Sequence, residues 1–463
     1  MRIRVVLCLT GALLAVGLAF LTNSNKTAEN TAEAKQNAVQ IFRSGGQWKA
    51  RFDFAQDAPV WAFERSALTQ RDERSWRSES WTIETPGVTL ERIGIFDTFV
   101  AEGRSVPREV VISFRPLNKD LIADYSPAII MSDGSLAIFG GHFTAFPLES
   151  RELPEDLEEP RDFSSLISLT ADDAPVLFKG ELVSRAEDIG SHYVYIGDIK
   201  LAANTSVVTI LDPGLPNWIS TQLIDFTPMV FSSYNQKMGQ HKSIRPMVMV
   251  SWAGAEAIEQ GVSGSVSSGL IAMRIGSRRL LNETPSERRF MQWFIAHEAA
   301  HFWLGDTIGY KSRDDMWITE GGADFLAMSM MAKQDPEFDS RGFFANARTD
   351  CAASLQLGTL AGALKRNDQQ AAYTCGFLFA LVVDRAGQSR GEGFGDFVHR
   401  LIVTNTNGQV SAHEWLVAAR AFGVDSSQIT LLEAMIRGHN TDPLSMIESL
   451  LSDVHSTPLV KLN

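Results

Sequence analysis

Three side chains have the types and the spacing to bind one divalent metal ion. His297 and His301 are four residues apart, and Glu320 follows after the intervening residues 302–319. Positions four apart share one face of a helix, so both imidazoles can reach the same ion. Two histidines and one glutamate leave a fourth position open for water, which is typical of catalytic and not of structural zinc sites.

Glu298 directly follows the first histidine and can reach a water molecule on the metal. Zinc lowers the pKa of such a water to about 7, so a carboxylate can take its proton during attack on a carbonyl group. The five-residue pattern alone also occurs on ordinary solvated or core helices, and these ligands could hold other first-row metals. The position of Glu320 is the feature that favours a metal site.

Two helices are needed to position these ligands. Thr284 can be an N-cap, a proline takes the first helical position after it, and Glu287 takes the third, which together form a capping box. We expect this helix to run to about Leu304 and to end at Gly305. A second helical stretch begins at Glu320 and continues into an apolar run.

The residues around these ligands resemble the gluzincin signature of the alanyl-aminopeptidase and leukotriene-hydrolase family. Residues 302–306 are similar to that family's aromatic-Gly-Asn run, and residues 317–321 are similar to its Trp-Leu-Asn-Glu-Gly segment. The resemblance implies a zinc-dependent peptidase with one Zn²⁺ per chain, peptide substrates and a thermolysin-like catalytic domain behind a β-rich N-terminal domain. Asp324 lies one turn after Glu320, where such enzymes orient a zinc histidine, although a solvated surface aspartate is the alternative.

A tyrosine that stabilises the oxyanion is also implied by the resemblance. The family carries it in a Tyr-Glu-Lys-Gly helix start, and Tyr373 begins a similar segment here that opens an apolar helix ending at Gly387. Tyr373 is therefore the expected oxyanion donor, and the alternative is an ordinary core tyrosine. Cys375 stands where the family has lysine.

One position departs from the aminopeptidases of the family. They carry a Gly-Ala-Met-Glu-Asn strand whose glutamate binds the free amino group of the substrate. Residues 263–268 correspond to it here, and Val266 stands where that glutamate would be. Glu256 and Glu259 are nearby in sequence, but no geometric reason selects them. The family favours an aminopeptidase and Val266 favours an endopeptidase, so both remain open.

The remaining chain predicts an α+β fold of two domains. Residues 45–212 show strand patterns, with a hairpin turn at residues 132–134, and we interpret them as a β-rich N-terminal domain. From residue 213 to residue 463 the pattern becomes mainly helical, apart from a buried strand near residues 244–252. This second part is the expected thermolysin-like zinc metallopeptidase domain.

The start of the chain has the composition of a targeting segment. Two arginines precede an apolar run at residues 5–21, so residues 1–23 are predicted to be a cleaved signal peptide or a membrane anchor, and residues 24–44 a linker. Either alternative places the rest of the chain in the periplasm or outside the cell. In that setting the pair Cys351 and Cys375 predicts one disulfide that holds the Tyr373 helix to the preceding loop. Two unrelated buried thiols are the alternative.

The charge excludes some partners and leaves two other functions open. A formal net charge of −13 argues against nucleic acid or anionic lipid as the main partner, since both require a basic surface. One alternative is a catalytically silent scaffold or binding protein on the same fold. Another is hydrolysis of a non-peptide substrate at the same zinc site. The oligomeric state has no signature in the sequence.

Overall fold

The computed structural model describes most of the chain in two compact units. It describes residues 36–103, 105–122, 124–152, 163–198, 202–203, 207–243, 246–257, 261–267, 269–438 and 442–452. The first unit contains the residues up to Ala202 together with Ile210–Leu215 and Met247–Arg278. The second contains Ala203–Thr209, Pro216–Pro246 and the chain from Arg279 onward. The predicted targeting segment at residues 1–23 lies outside the described residues.

The described part of the first unit is built mainly of strands, as the sequence pattern of its residues predicts, and it includes one short α-helix. Its helix α1 is Trp76–Ser80. Its strands are β1 (Gln36–Ser44), β2 (Gln47–Asp53), β3 (Val60–Phe63), β4 (Trp81–Ile83), β5 (Val88–Ile93), β6 (Phe96–Ala101), β7 (Glu109–Phe114), β8 (Ala128–Ile130), β9 (Leu136–Phe139), β10 (Ala145–Leu148), β11 (Ser164–Ala171), β12 (Val176–Phe178), β13 (Glu181–Val183), β14 (Ala186–Glu187) and β15 (Tyr193–Ile196). Two further strands, β16 (Ala202–Ala203) and β17 (Val208–Leu211), cross the division between the units, and β18 (Met247–Trp252), β19 (Gly261–Ser267) and β20 (Leu270–Gly276) return to the first unit.

The strands of the first unit form three sheets and part of a fourth. The first three have the orders β14-β11-β1-β2-β7-β4, β10-β3-β6-β5 and β13-β12-β15-β9-β8. In the fourth, β18 pairs in parallel with β20, and β19 pairs antiparallel with β20. The turn predicted at residues 132–134 joins β8 to β9, and Gly134 supplies the positive φ of 87° that the turn requires.

A buried arginine holds the aromatic core of the first unit together. The Arg77 guanidinium is fully buried, donates to Asp97 at 2.9 Å and lies 4.6 Å from the ring of Phe63. It also donates to the backbone carbonyls of Arg65 and His142, both at 2.6 Å. Its charge is therefore compensated by a carboxylate, two carbonyls and an aromatic face, as a buried cation requires.

The second unit is mainly helical. Its described residues include a small parallel pair of strands, β21 (Gly309–Tyr310) and β22 (Gln409–Val410). Its helices are α2 (Asn217–Met238), α3 (Pro285–Ala300), α4 (Trp317–Gln334), α5 (Ser340–Gln356), α6 (Gln370–Gly387), α7 (Phe394–Thr404), α8 (Ala412–Ala421), α9 (Ser426–Arg437) and α10 (Pro443–Leu450). Helix α4 packs against α3 and α6, and α5 also packs against α6. Among the described residues, no helix is both long and apolar enough to cross a membrane.

Helix α3 begins where the sequence predicts and ends earlier. The Thr284 side chain accepts a hydrogen bond from the backbone N–H of Glu287 at 3.1 Å, so the predicted N-cap forms. The helix ends at Ala300, whereas the sequence predicted about Leu304. The difference arises because the chain tightens into turns after Ala300 and then passes through Gly305 at a φ of 141°.

Other boundaries also differ from the sequence-based expectation. The predicted linker over residues 24–44 is wrong for Gln36–Ser44, because these residues form β1 with alternating buried side chains between β2 and β11. The predicted cut at residues 212/213 is not a single one, since the chain returns to the first unit for Met247–Arg278. Hydrophobic pattern does not reveal such a return, which depends on strand pairing far apart in sequence.

Candidate metal centre

Helix α3, the residue His301 directly after it, and helix α4 bring the three ligands together in the interior of the second unit. His297 lies on α3 and Glu320 on α4. The two Nε2 atoms of the histidines are 3.1 Å apart. The Glu320 Oε2 atom lies 3.6 Å from the first of them and 3.4 Å from the second. The potential ligand atoms of the three residues all lie within 4.8 Å of one another, and all three residues are buried.

The separations of these ligand atoms fit a tetrahedral zinc ion. Bonds of ~2.0–2.1 Å at tetrahedral angles place neighbouring ligand atoms about 3.3 Å apart, close to the observed distances. The Glu320 Oε2 atom is also buried with no hydrogen-bond partner among the described residues. A buried carboxylate oxygen is costly without a partner, and a cation between it and the imidazoles would supply one. The residues present therefore fit zinc.

Neighbouring groups leave the Nε2 atom of each histidine free to bind a metal. His301 Nδ1 is 2.9 Å from the carbonyl oxygen of Leu304, and since a carbonyl only accepts, Nδ1 carries the proton. His297 Nδ1 is 2.8 Å from Asp324 Oδ1, so the carboxylate plays the same part there. Because α3 ends early, the turns after it bring the Leu304 carbonyl oxygen to His301 Nδ1. The predicted hydrogen bond between Asp324 and a metal-binding histidine is also present.

Electrostatic interactions favour the ionised form of Glu320. Burial by itself would raise the pKa of this carboxyl group, but His301 and His297 lower it by more. The pKa of Glu320 therefore falls well below its usual range. An ionised carboxylate at this position is the form that a divalent cation requires.

Glu298 lies next to His297 in the sequence, and one of its carboxylate oxygens is not hydrogen-bonded to the described residues. It is buried, and its Oε2 atom has no hydrogen-bond partner among the residues that the structure describes. Burial raises the pKa of Glu298, and the nearby His297 and His301 offset only part of this effect. A carboxylate with a raised pKa and an uncommitted oxygen is suited to exchange protons with a water or substrate atom.

Tyr373 reaches the same centre from α6. Its ring stacks on that of His297, with ring centroids 6.0 Å apart and an interplanar angle of 21°. Burial raises the pKa of Tyr373 well above its ordinary value, followed by the charges of Glu320, Asp324 and Glu298. The phenol therefore stays protonated at neutral pH, so it can donate a hydrogen bond.

The disulfide predicted between the remaining cysteines is present. It joins Cys351 on α5 to Cys375 on α6, with Cα atoms 4.9 Å apart. Both residues are completely buried. The bridge therefore connects the first turns of the helix that carries Tyr373 to α5. The predicted attachment to a loop is wrong, because Cys351 lies within a helix.

Trp293 is a neighbour of the site that the sequence interpretation missed. Its ring centroid is 5.6 Å from that of His297 and 6.0 Å from that of Phe343 on α5. Helical spacing could have revealed it, because Trp293 precedes His297 by four residues and therefore shares its face of α3.

The residues considered for amine recognition belong to the first unit. Val266 lies on β19 opposite Ile271, is buried, and accepts a hydrogen bond from the Tyr125 hydroxyl to its carbonyl oxygen at 2.9 Å. Glu256 pairs with Arg278. Glu259 lies outside the described residues.

Comparison with known proteins relates the chain to metallopeptidases. Residues 269–362 match the Peptidase family M1 domain. A probable aminopeptidase 1 of Sulfurisphaera tokodaii is 37% identical over 59 residues, which are 13% of this chain and 8% of that protein. A probable aminopeptidase 2 of the same organism is 40% identical over 55 residues, 12% of this chain and 7% of that protein. The aligned segments thus span less than a tenth of each relative.

Two solved structures share the fold over most of the chain. An aminopeptidase N family protein from Idiomarina loihiensis superimposes with a TM-score of 0.60 at 11% identity, covering 89% of this chain and 78% of that one. A variant of a two-domain M1 zinc metallopeptidase bound to L-tryptophan gives a TM-score of 0.50 at 15% identity, covering 89% and 96%. The predicted α+β fold is confirmed. The family match confirms the prediction of a metallopeptidase for residues 269–362, and together with the buried His-His-Glu cluster it confirms zinc as the metal.

Proposed function

We propose that the chain hydrolyses peptide bonds at a zinc ion held by His297, His301 and Glu320. The observation that carries this proposal is the convergence of these three buried ligands beside Glu298, whose carboxylate has an uncommitted oxygen. Bound zinc supplies a Lewis acid that polarises a carbonyl and makes water nucleophilic near neutral pH.

The other steps of the proposed reaction are assigned to side chains around the metal site. Glu298 takes a proton from the attacking water and later delivers it to the leaving amine. The Tyr373 hydroxyl donates a hydrogen bond to the oxygen that becomes negative in the transition state. Asp324 and the Leu304 carbonyl hold the two histidines in the orientation and tautomer that metal binding needs.

The position of the cut along the peptide is a separate part of the proposal. Val266 supplies no carboxylate on β19, so it offers no anionic partner for a free amino group. This favours cleavage within a peptide, whereas the similarity to probable aminopeptidases favours removal of the N-terminal residue. We propose peptide substrates in both cases, and the cleavage products distinguish an aminopeptidase from an endopeptidase.

A mixed peptide library tests the function directly. The full chain, loaded with zinc, is incubated with the library, and products are identified by mass spectrometry beside the control Glu298→Gln. We expect cleavage that the control lacks, and a zinc content that the control retains. Loss of single N-terminal residues would identify an aminopeptidase, and internal cuts an endopeptidase. Zinc-loaded chain that cleaves nothing would contradict the proposal.

We further propose that the chain works outside the cytoplasm. The apolar residues 5–21 follow a basic start, and the Cys351–Cys375 bridge belongs to an oxidising compartment. Fractionation of expressing cells tests this, together with mass spectrometry after alkylation of free thiols. Recovery in the cytoplasm with both thiols alkylated would contradict it.

A further inference from the structure

We infer that four residues away from the metal set the position of Tyr373: the glycines Gly321 and Gly376 and the bridged cysteines Cys351 and Cys375. This inference rests on the proposed function, because it assigns these residues a part in placing the oxyanion donor. They are positioning residues, since none of them is a metal ligand and each would act through Tyr373.

The first contact is a close approach of α4 and α6 at two glycines. A Cβ atom on Gly321 would overlap the backbone of Gly376, and a Cβ atom on Gly376 would overlap the carbonyl oxygen of Trp317. The obstructing atoms are backbone atoms, so they cannot turn aside as a flexible side chain could. The two helices can therefore lie at this separation only while both positions are glycine.

This contact lies next to the reacting groups. Gly321 follows the metal ligand Glu320 on α4, and Gly376 comes three residues after Tyr373 on α6. The separation of the helix backbones at these glycines thus fixes how far Tyr373 lies from Glu320. Reacting groups tolerate little displacement, since an error of about 1 Å can cost ~10²-fold in rate.

The second contact holds the same turn of α6 from another helix. Cys375 lies between Tyr373 and the glycine contact, and its bridge connects it to Cys351 on α5. Both cysteines are completely buried, so the bridge is protected from solvent reductants. The first turns of α6 are therefore fixed to α4 by backbone contact and to α5 by a covalent bond.

A cycle of substitutions separates positioning from general stability. Gly376→Ala in the full zinc-loaded chain should lower kcat for a cleaved library peptide about 10- to 100-fold, with KM within about twofold. Tyr373→Phe alone should lower kcat by about 10²-fold. If Gly376 acts through Tyr373, adding Gly376→Ala to Tyr373→Phe should lower kcat further by less than about twofold.

The control for this cycle comes from the other end of the same helix. Gly387 is also closely packed, because a Cβ atom there would lie 2.7 Å from the Glu392 carbonyl oxygen. Gly387→Ala should destabilise the chain while it leaves kcat within about twofold of the wild-type value. An equal fall in kcat for both glycine variants would show a general effect of destabilisation and would overturn the inference.

Substitution of the two cysteines gives a second, independent test of the inference. The double variant Cys351→Ala/Cys375→Ala should retain zinc and KM, lose about 10-fold in kcat, and show no such loss in the Tyr373→Phe background. This test stays informative if Gly376→Ala does not fold. Losses that multiply with that of Tyr373→Phe would overturn the inference while the peptidase function stands. A wild-type chain without any turnover would instead overturn the proposed function, and this inference with it.

Discussion

At the scale of single residues, the site depends on which side-chain atoms are hydrogen-bonded to the protein and which are not. The Nδ1 atoms of His297 and His301 are occupied by Asp324 and by the Leu304 carbonyl. The Oε2 atoms of Glu320 and Glu298 have no such partners among the described residues. The hydrogen bond at Nδ1 fixes the orientation of each imidazole ring and therefore the direction of its Nε2 atom. The two histidines are thus oriented for metal binding before the metal binds.

Asp324→Asn should weaken zinc binding about 10- to 100-fold, because the neutral amide orients His297 less strongly than the carboxylate does. Competition with a chromogenic chelator measures the dissociation constant. Asp384→Asn is the matched control, since Asp384 on α6 is also a buried aspartate but accepts its hydrogen bond from the backbone N–H of Phe394 at the start of α7. Equal zinc affinities for wild type and Asp324→Asn would show that the contact does not support the metal.

His142 should make the stability of the first unit depend on pH. Burial lowers the pKa of His142 to about 4, and Arg77 and Arg65 add to this while Asp124 opposes it. The ordinary value is 6.5. Since the unfolded chain binds the proton more readily, stability is complete above pH 6.5 and falls as the pH drops toward 4, by about 3 kcal/mol in total.

Urea unfolding of the full chain between pH 7 and pH 4, followed by tryptophan fluorescence, measures this effect. His142→Gln is the comparison, because an amide can still donate to the Tyr125 carbonyl that His142 Nε2 contacts at 2.8 Å. We expect the variant to lose less stability over the same range. Identical pH dependence in both chains would exclude His142 as the source.

At the scale of elements, the helix that carries the histidines depends on its cap. Thr284→Ala should destabilise the second unit by about 1 kcal/mol, because the backbone N–H of Glu287 loses its acceptor. Thermal unfolding of the zinc-free chain measures this without the added stability of the metal. Ser286→Ala should have little effect, since Ser286 is exposed and lies inside the first turn. A similar loss in both variants would argue against the cap.

The element boundaries show which signals were local. The start of α3 follows from Thr284, Pro285 and Glu287, all of which act within one turn. Its end at Ala300 does not follow from a local signal, because Gly305 marks only where the turns after the helix finish. Strand β1 was missed in the same way: its polar composition resembles a linker, and pairing with β2 and β11 makes it a strand.

At the scale of the whole molecule, the disulfide should contribute to stability as well as to the placement of Tyr373. Its cysteines are 24 residues apart, and closing a loop of this length stabilises a folded chain by about 3.5 kcal/mol. Cys351→Ala/Cys375→Ala should therefore lower the urea midpoint of the second unit. The measurement uses the zinc-free chain. An unchanged urea midpoint would mean that the disulfide does not stabilise it.

The sequence by itself predicted the groups of the centre: the ligands His297, His301 and Glu320, the nearby Glu298, and Tyr373. For Cys351 and Cys375 it favoured one disulfide and left two unrelated thiols as the alternative. The two histidines and Glu298 follow from residue type and short spacing, which helical geometry converts directly into positions on one helix. Tyr373 followed from the resemblance to a known family. The sequence also indicated an α+β chain with strands before helices, because the period of the hydrophobic pattern changes along it.

Only the tertiary structure decided how the groups are held relative to one another. It placed Tyr373 beside His297 and Phe343 beside Trp293, and it brought the glycines of α4 and α6 into contact. It also returned Met247–Arg278 to the first unit. The physical reason is that such contacts join residues distant in sequence, and their formation depends on backbone separation and packing, which no local pattern specifies.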